Sequence, residues 1–239
     1  MEAASGHSHL TIGMGAVIEQ MAVASSQPRA RITGAVYLLS FLFALGTLFT
    51  PGTPKDIVAH EPLFRLEFAV GLIWIALYIA LTALLYSLFK PVSRRLALIA
   101  AFFSLVGCII QAFASVFQLV PLVLGGSQYL SAFTVEQLQA MAQMFLELNV
   151  QANYIAVVFF GLFDIVIGYL ILKSTFLPRI LGGLMAIAGL LWLIFLSPPL
   201  ANHMLIFIEA PGFIAELALM LWLLVFGVNV QRWKEQAAA

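Results

Sequence analysis

The chain has 239 residues, of which 63% are hydrophobic and only 9% are charged, and its formal net charge is zero. A water-soluble globular domain carries about 25% charged residues, so this composition cannot supply the polar surface that a soluble fold of this length needs. The zero net charge gives no basis for binding nucleic acid or an acidic partner.

The first 28 residues are mildly polar, and we expect them to form a flexible cytoplasmic segment. They are not typical of a secretory signal, because their first charge is acidic and no apolar core leads to a small-residue cleavage site. His7 and His9 are too few for a metal site, which needs three or four converging ligands. A polar lead-in opens at Met21, so we expect the native start at Met14 or Met21 rather than Met1.

Six apolar stretches meet the length of about 20 residues that a transmembrane helix needs. They are continuous, whereas the strands of a membrane barrel alternate apolar and polar residues. The predicted spans are residues 32–49, 63–89, 96–124, 150–172, 180–197 and 205–230. We therefore predict an all-α, polytopic membrane protein. Its parts are a cytoplasmic N-terminal segment (1–28), a six-transmembrane-helix bundle (29–230) and a cytoplasmic tail (231–239).

The basic residues are distributed unevenly between the two faces of this predicted bundle. Nine of the eleven Lys and Arg residues precede the first span, follow the last, or lie in the second and fourth connections. They are Arg29, Arg31, Lys90, Arg94, Arg95, Lys173, Arg179, Arg232 and Lys234. Only Lys55 and Arg65 lie on the other face. The positive-inside rule therefore predicts that both termini are cytoplasmic (N-in/C-in), with Trp233 as an anchor at the membrane interface.

The connection between the third and fourth spans has a helical pattern of its own. Thr134 and Gln137 form a capping-box pair at its start. Apolar residues then recur at helical spacing, at Leu138, Met141, Phe145 and Leu148. Two structures fit this pattern: a short amphipathic helix on the outer membrane surface, or projecting first turns of the fourth helix. Its charges are acidic, which argues against binding to anionic lipids.

Polar residues inside the predicted spans are candidates for a functional site. An ionisable group at mid-depth costs about 2.5–3.5 kcal/mol on insertion scales, so each one needs a reason. The candidates are Arg65, Glu67, Gln111, Gln118, Glu147, Asn149, Asn153, Asp164, Glu209 and Glu216. Nearly all belong to the outer half of the bundle, which predicts a polar cavity between helices two, three, four and six, open to the extracytoplasmic side. The alternative is interhelical hydrogen bonds that contribute about 0.6 kcal/mol each.

Spacing relates several of these candidates to one another. Glu209 and Glu216 are seven residues apart and share a helical face, and Pro211 between them predicts a kink. Asp164 and Glu216 are the deepest acids. Gln111, Ser115 and Gln118 fall at i, i+4 and i+7, which predicts a polar stripe. Arg65 is expected to reach the interface or to pair with Glu67 or Glu209.

The remaining features favour packing over chemistry. Cys108, the only cysteine, is expected to act as a small hydrophobe. Gly182, Gly183, Ala186 and Gly189 predict a small-residue packing face. The aromatic residues, spread along the helices, are interpreted as lipid-facing and packing bulk rather than as a cofactor cage. The sequence contains neither a catalytic nor a nucleotide-binding motif. We therefore expect no cofactor and no metal.

Several segments, taken in order, resemble a known family. They are Arg31-Ile-Thr-Gly-Ala-Val-Tyr-Leu-Leu, Leu63-Phe-Arg-Leu-Glu-Phe, Tyr129-Leu-Ser-Ala-Phe-Thr-Val-Glu-Gln-Leu-Gln-Ala, Phe159-Phe-Gly-Leu, Gly168-Tyr-Leu-Ile, Leu177-Pro-Arg-Ile-Leu-Gly, Ala215-Glu-Leu and Leu221-Trp-Leu-Leu. The set, over residues 29–228, resembles a bacterial membrane family catalogued as domain of unknown function 4386. The resemblance implies a compact helical domain in the bacterial cytoplasmic (inner) membrane, and it supplies no established catalytic residues.

Three functions remain open from the sequence. The first is a non-enzymatic binding or accessory protein, whose partners are the lipid bilayer and a lipid or small-molecule ligand. The second is a small transporter or permeation protein, coupled to protons through Glu216 and Asp164. The third is an intramembrane enzyme that uses those two acids as a carboxylate pair. The absence of a chemical motif favours a protein that is not an enzyme.

Overall fold

The computed structural model describes Gln27 and residues 29–46, 53–126 and 133–238. These residues contain helices and turns but no strand. The helices are α1 (Arg29–Gly46), α2 (Pro54–Ala59), α3 (Glu61–Phe89), α4 (Arg94–Gln118), α5 (Val120–Gly126), α6 (Val135–Lys173), α7 (Arg179–Trp192), α8 (Pro198–Val225) and α9 (Val230–Ala238), and a 3-10 turn (Leu193–Leu196) joins α7 to α8.

Six helical segments are long and apolar enough to cross a membrane, which confirms the all-α prediction and identifies a multi-pass protein by length and composition. They are α1, α3, α4 together with α5, α6, α7 together with the 3-10 turn, and α8. The predictions for His7, His9, the start residue and the end of the first span fall outside the described residues.

The fourth spanning helix is longer than its apolar core. Helix α6 has 39 residues and starts at Val135, because residues 135–149 contain neither glycine nor proline to break it. The predicted capping box is present: the Thr134 hydroxyl accepts from the Gln137 amide (3.3 Å), and the Gln137 side chain accepts from the Thr134 amide (2.9 Å). Residues 135–149 are therefore the start of α6 and run on into the fourth span as one helix.

The sixth spanning helix is shifted relative to the prediction of residues 205–230. Helix α8 begins at Pro198, because proline suits the first turn of a helix, where its missing N–H is not needed. The helix ends at Val225, and Gly227 then adopts a φ of +69°, a conformation that costs glycine little. The predicted tail is mostly a helix of its own, α9.

Helix α6 is the centre of the bundle and packs against α4 and α7. Glycines bring the backbones of α6 and α7 into contact at two levels: Gly161 meets Gly189, and Gly168 meets Gly182. This confirms the small-residue face predicted for the fifth span, with one exception. Gly183 points away, because a Cβ there would have no described atom within 4 Å.

Helix α9 closes one end of the bundle, which we call the basic end because it holds the nine basic residues named above. The Trp233 indole donates to the Leu88 carbonyl (3.0 Å), at the last turn of α3. The Arg232 guanidinium donates to the Thr175 carbonyl (3.3 Å), after α6. Arg29 and Trp233 line one small cavity, so the start of α1 and α9 lie at the same end. Trp233, for which the sequence predicts a place at the membrane interface, ties α9 to the bundle through its bond to Leu88.

The glycine contacts predict that Gly182→Ala lowers the midpoint of thermal unfolding in detergent. A Cβ at Gly182 would lie 2.7 Å from the Gly168 carbonyl oxygen and 2.9 Å from the Leu172 amide nitrogen, so α6 and α7 must separate.

Gly183→Ala is the matched control. It gains the same helix propensity, about 1 kcal/mol, without meeting a described atom. Its unfolding midpoint is expected to stay level or to rise. Equal midpoints for the two variants would show that the α6–α7 contact does not depend on glycine.

Candidate functional site

Two adjoining cavities lie between the spanning helices. The larger has a volume of about 460 Å³, and we call it the aromatic cavity. The smaller has a volume of about 290 Å³, and we call it the polar cavity. Both are lined by Ala44, Trp74, Gln111 and Asn153, so a molecule in one cavity would reach the wall of the other.

Both cavities lie away from the basic end. Their lining comes from the middle and later part of α1, the last turns of α4, the first and middle turns of α3, and the middle turns of α8. Because consecutive spanning helices run in opposite directions, these parts meet in the same half of the bundle. It is the half that holds the α1–α3 connection and the start of α8.

The polar cavity is lined by side chains that can donate and accept hydrogen bonds, namely Glu67, Gln111, Ser115, Gln118, Asn149 and Asn153. The stripe expected on the third span, Gln111, Ser115 and Gln118, lies along this wall. The Asn149 amide donates to the Ala114 carbonyl (2.8 Å) and so joins α6 to α4. Its oxygen accepts from the Asn153 amide (3.1 Å).

The aromatic cavity is lined by rings that contact one another in three groups. Trp74, Tyr78 and Phe160 pack between α3 and α6, at centroid distances of 5.0–6.1 Å. Tyr154, Trp192 and Phe195 pack where α6 meets α7 and the 3-10 turn, at 4.9 and 5.9 Å. Phe41 of α1 and Phe213 of α8 pack edge to face at 5.3 Å. All of these rings border the cavity.

Acidic and hydroxyl side chains border the same cavity. Glu209 and Glu216 both line it from α8, as expected for residues seven apart on one helical face. Tyr37 and Ser40 line it from α1 and are 2% and 1% exposed. Neither hydroxyl has a hydrogen-bond partner in the described part of the chain. No lysine or arginine is among the described lining residues.

The proline and glycine between the two acids shape this wall. Pro211 lies inside α8 and removes one backbone donor from the helix. Gly212 makes room for Trp192, since a Cβ at Gly212 would lie 2.5 Å from the Trp192 ring. The indole can therefore approach α8 closely and still border the cavity.

Three predicted candidates do not line either cavity, and two of them, Arg65 and Glu147, lie on the surface. The Arg65 guanidinium bonds to the Glu61 carboxylate at 2.7 Å, and its side chain is 64% exposed. It pairs with Glu61 rather than with Glu67 or Glu209, because residues four apart on a helix are neighbours. Glu147 is exposed and accepts from Gln143 at 3.4 Å.

Asp164 lies inside the bundle but away from both cavity walls. It is 1% exposed and does not line either cavity. One oxygen, Oδ1, has no hydrogen-bond partner among the described residues. Of the two acids predicted to be deepest, a ligand in the aromatic cavity would therefore contact only Glu216.

The sequence-based interpretation of the aromatic residues as dispersed bulk is wrong for those that line the cavity. Trp74 and Tyr78 are four residues apart on α3, and this spacing indicates from the sequence that the two rings share one helical face. No local sequence pattern indicates that rings from other helices converge on the same cavity. No cluster of three or more His, Cys, Asp or Glu side chains suited to a metal occurs in the described ranges.

The fold and the cavities define a class, the multi-pass helical membrane proteins with an internal cavity. Comparison with known families narrows this class: the family described as Domain of unknown function (DUF4386) matches residues 32–227. The chain belongs to this family. No curated protein and no solved structure matches the chain.

The Asn149 hydrogen bond predicts that Asn149→Ala lowers the free energy of unfolding in detergent. The change removes a buried link between α6 and α4, and such bonds contribute about 0.6–1.7 kcal/mol in membrane proteins. Gln151→Ala, an exposed amide two residues further along α6, is the control and should leave unfolding unchanged. Equal losses from the two variants would show that the bond to Ala114 contributes nothing.

Proposed function

We propose that the protein is a non-enzymatic binding protein of the bacterial cytoplasmic membrane, which takes up a lipid or small molecule in its two adjoining cavities. The observation that carries this proposal is the set of buried polar atoms at the cavity walls without hydrogen-bond partners. They are the hydroxyls of Tyr37 and Ser40 and the Oδ1 atom of Asn153, counted over the described residues. In a bilayer such groups are costly unless a partner or water satisfies them.

The dimensions and chemistry of the cavities support the same function. Ligand pockets usually have volumes of about 300–1,000 Å³, with mostly apolar walls and a few polar groups. The aromatic cavity, at about 460 Å³, falls within that range. The adjoining polar cavity adds amide groups that could orient a bound molecule.

The distribution of charge supports entry from the extracytoplasmic side. The nine basic residues lie at the end of the bundle opposite the cavities, and cytoplasmic connections are rich in Lys and Arg. With the basic end in the cytoplasm, both termini are cytoplasmic and the cavities face outward.

A transporter is the second candidate, because Asp164 adds an acid beyond the cavity wall. It is buried and does not line the cavity. Two buried acids, one at the cavity wall and one behind it, could carry a proton between the cavity and the interior of the bundle. Catalysis by the pair Asp164 and Glu216 is less well supported, since of these two acids only Glu216 lines the cavity.

Cysteine labelling tests the binding site and its orientation. In a Cys108→Ala background, Ala44→Cys is expected to react with a membrane-impermeant methanethiosulfonate added outside intact cells, because Ala44 lines both cavities. Leu42→Cys is the control: it lies on the same helix, is 53% exposed on the surface, and should face lipid, where thiolate does not form. Reaction with the methanethiosulfonate is measured as the loss of later labelling of the same cysteine by a maleimide.

The pattern of labelling separates the candidates. Reaction of Ala44→Cys from outside only supports a binding protein, whereas reaction from either side supports a transporter with alternating access. Reaction from the cytoplasmic side alone would contradict the proposed orientation. Equal reaction of the Ala44 and Leu42 variants would contradict a water-accessible cavity.

A further inference from the structure

We propose that the aromatic cavity binds an organic cation, a small molecule that carries a substituted ammonium group. This inference rests on the proposed function and specifies the ligand class for the same site. It combines three features of the cavity: its aromatic walls, the sign of its charges, and its unpartnered hydroxyl groups.

The aromatic walls suit a positive charge better than a negative one. The face of an aromatic ring carries partial negative charge and attracts a cation within about 6 Å, most strongly for Trp. Trp74 and Trp192 line the cavity in different ring groups. A cation between these groups would meet rings from several helices, as in the aromatic cages that bind quaternary ammonium compounds.

The charges at the cavity have one sign. Glu209 and Glu216 line it, and the described lining contains no lysine or arginine. The basic residues on this half of the bundle lie elsewhere: Arg65 pairs with Glu61 on the surface, and Lys55 lines a separate cavity. An anionic ligand would have no described counter-charge, whereas a cation would meet two carboxylates.

The chemistry of the lining favours an organic cation over a bare metal ion. Metal ions such as Mg²⁺ and Ca²⁺ need six or more oxygen ligands at short distances, and aromatic rings supply none. An alkylammonium ion needs few directional bonds. The Tyr37 and Ser40 hydroxyls, buried at the wall without described partners, can accept from an ammonium N–H or bond a polar group of the ligand.

The ammonium group could belong to a free organic cation or to the ethanolamine headgroup of a lipid. The experiment therefore uses the purified full chain in nanodiscs of two compositions, one of phosphatidylglycerol alone and one with added phosphatidylethanolamine. The probe is radiolabelled benzyltrimethylammonium, and binding is measured by equilibrium dialysis. Its neutral carbon isostere, neopentylbenzene, has the same shape without the charge.

We expect the cationic probe to bind at least tenfold more tightly than its isostere. Glu216→Gln and Glu209→Gln should each weaken its binding severalfold, and the double variant should do so at least tenfold. Glu136→Gln, an exposed acid outside both cavities, should have no effect. Trp192→Leu should weaken binding roughly two- to thirtyfold, the range of cation–π contacts, whereas Trp222→Leu, outside the aromatic cavity, should not.

The glutamate variants and the tryptophan variants test the site independently, so the test stays decisive if one variant fails to fold. Weaker probe binding in phosphatidylethanolamine nanodiscs supports an ammonium site filled by the lipid headgroup, and equal binding in both nanodiscs supports a free organic cation. Equal affinity for the charged and neutral probes would overturn the organic-cation inference but leave the binding function standing. Binding of neither probe would also overturn it, and the labelling of Ala44→Cys would then judge the binding function separately.

Discussion

A polar side chain inside a membrane-spanning bundle must find a partner in the protein or a space that water or a ligand can enter, because hydrocarbon offers no hydrogen bonds. Much of this protein meets that requirement internally. Thr82 and Ser104 bond at 2.6 Å between α3 and α4, and Asn149 bonds to the Ala114 carbonyl. The hydroxyls of Tyr37 and Ser40 have no partner among the residues that the structure describes, and they border the aromatic cavity. The aromatic cavity is thus one place where the bundle leaves polar groups for water or a ligand to satisfy.

Close packing elsewhere in the bundle makes this cavity possible. Glycine contacts hold α7 against α6, which carries the end of α7 and the 3-10 turn over the half of the bundle that contains the cavities. Trp192 and Phe195 then reach the cavity wall from this side. Gly212 lets the indole approach α8, the helix that supplies Glu209 and Glu216. Backbone contacts of glycine therefore determine where the rings and carboxylates meet.

The sequence predicted what depends on local pattern. Hydrophobic length predicted the six spans, the Thr134 capping box was confirmed, and the spacing of Glu209 and Glu216 placed both on one helical face. It missed what depends on the tertiary fold or on a competing local preference. The start of α8 at Pro198 follows from helix N-terminal chemistry in a segment too polar to extend the predicted span. The aromatic cavity had no local signal, because its rings come from different helices, and their periodicity within each helix resembles ordinary packing.

An experimental density map of the protein in lipid nanodiscs would test the central claim most directly. The structure predicts ordered waters or a compact ligand between Glu216, Gln111 and Asn153, with the hydroxyls of Tyr37 and Ser40 turned toward that density. Side chains collapsed together without space between them, or a cavity that holds neither ordered water nor a bound molecule, would contradict a binding site in this half of the bundle.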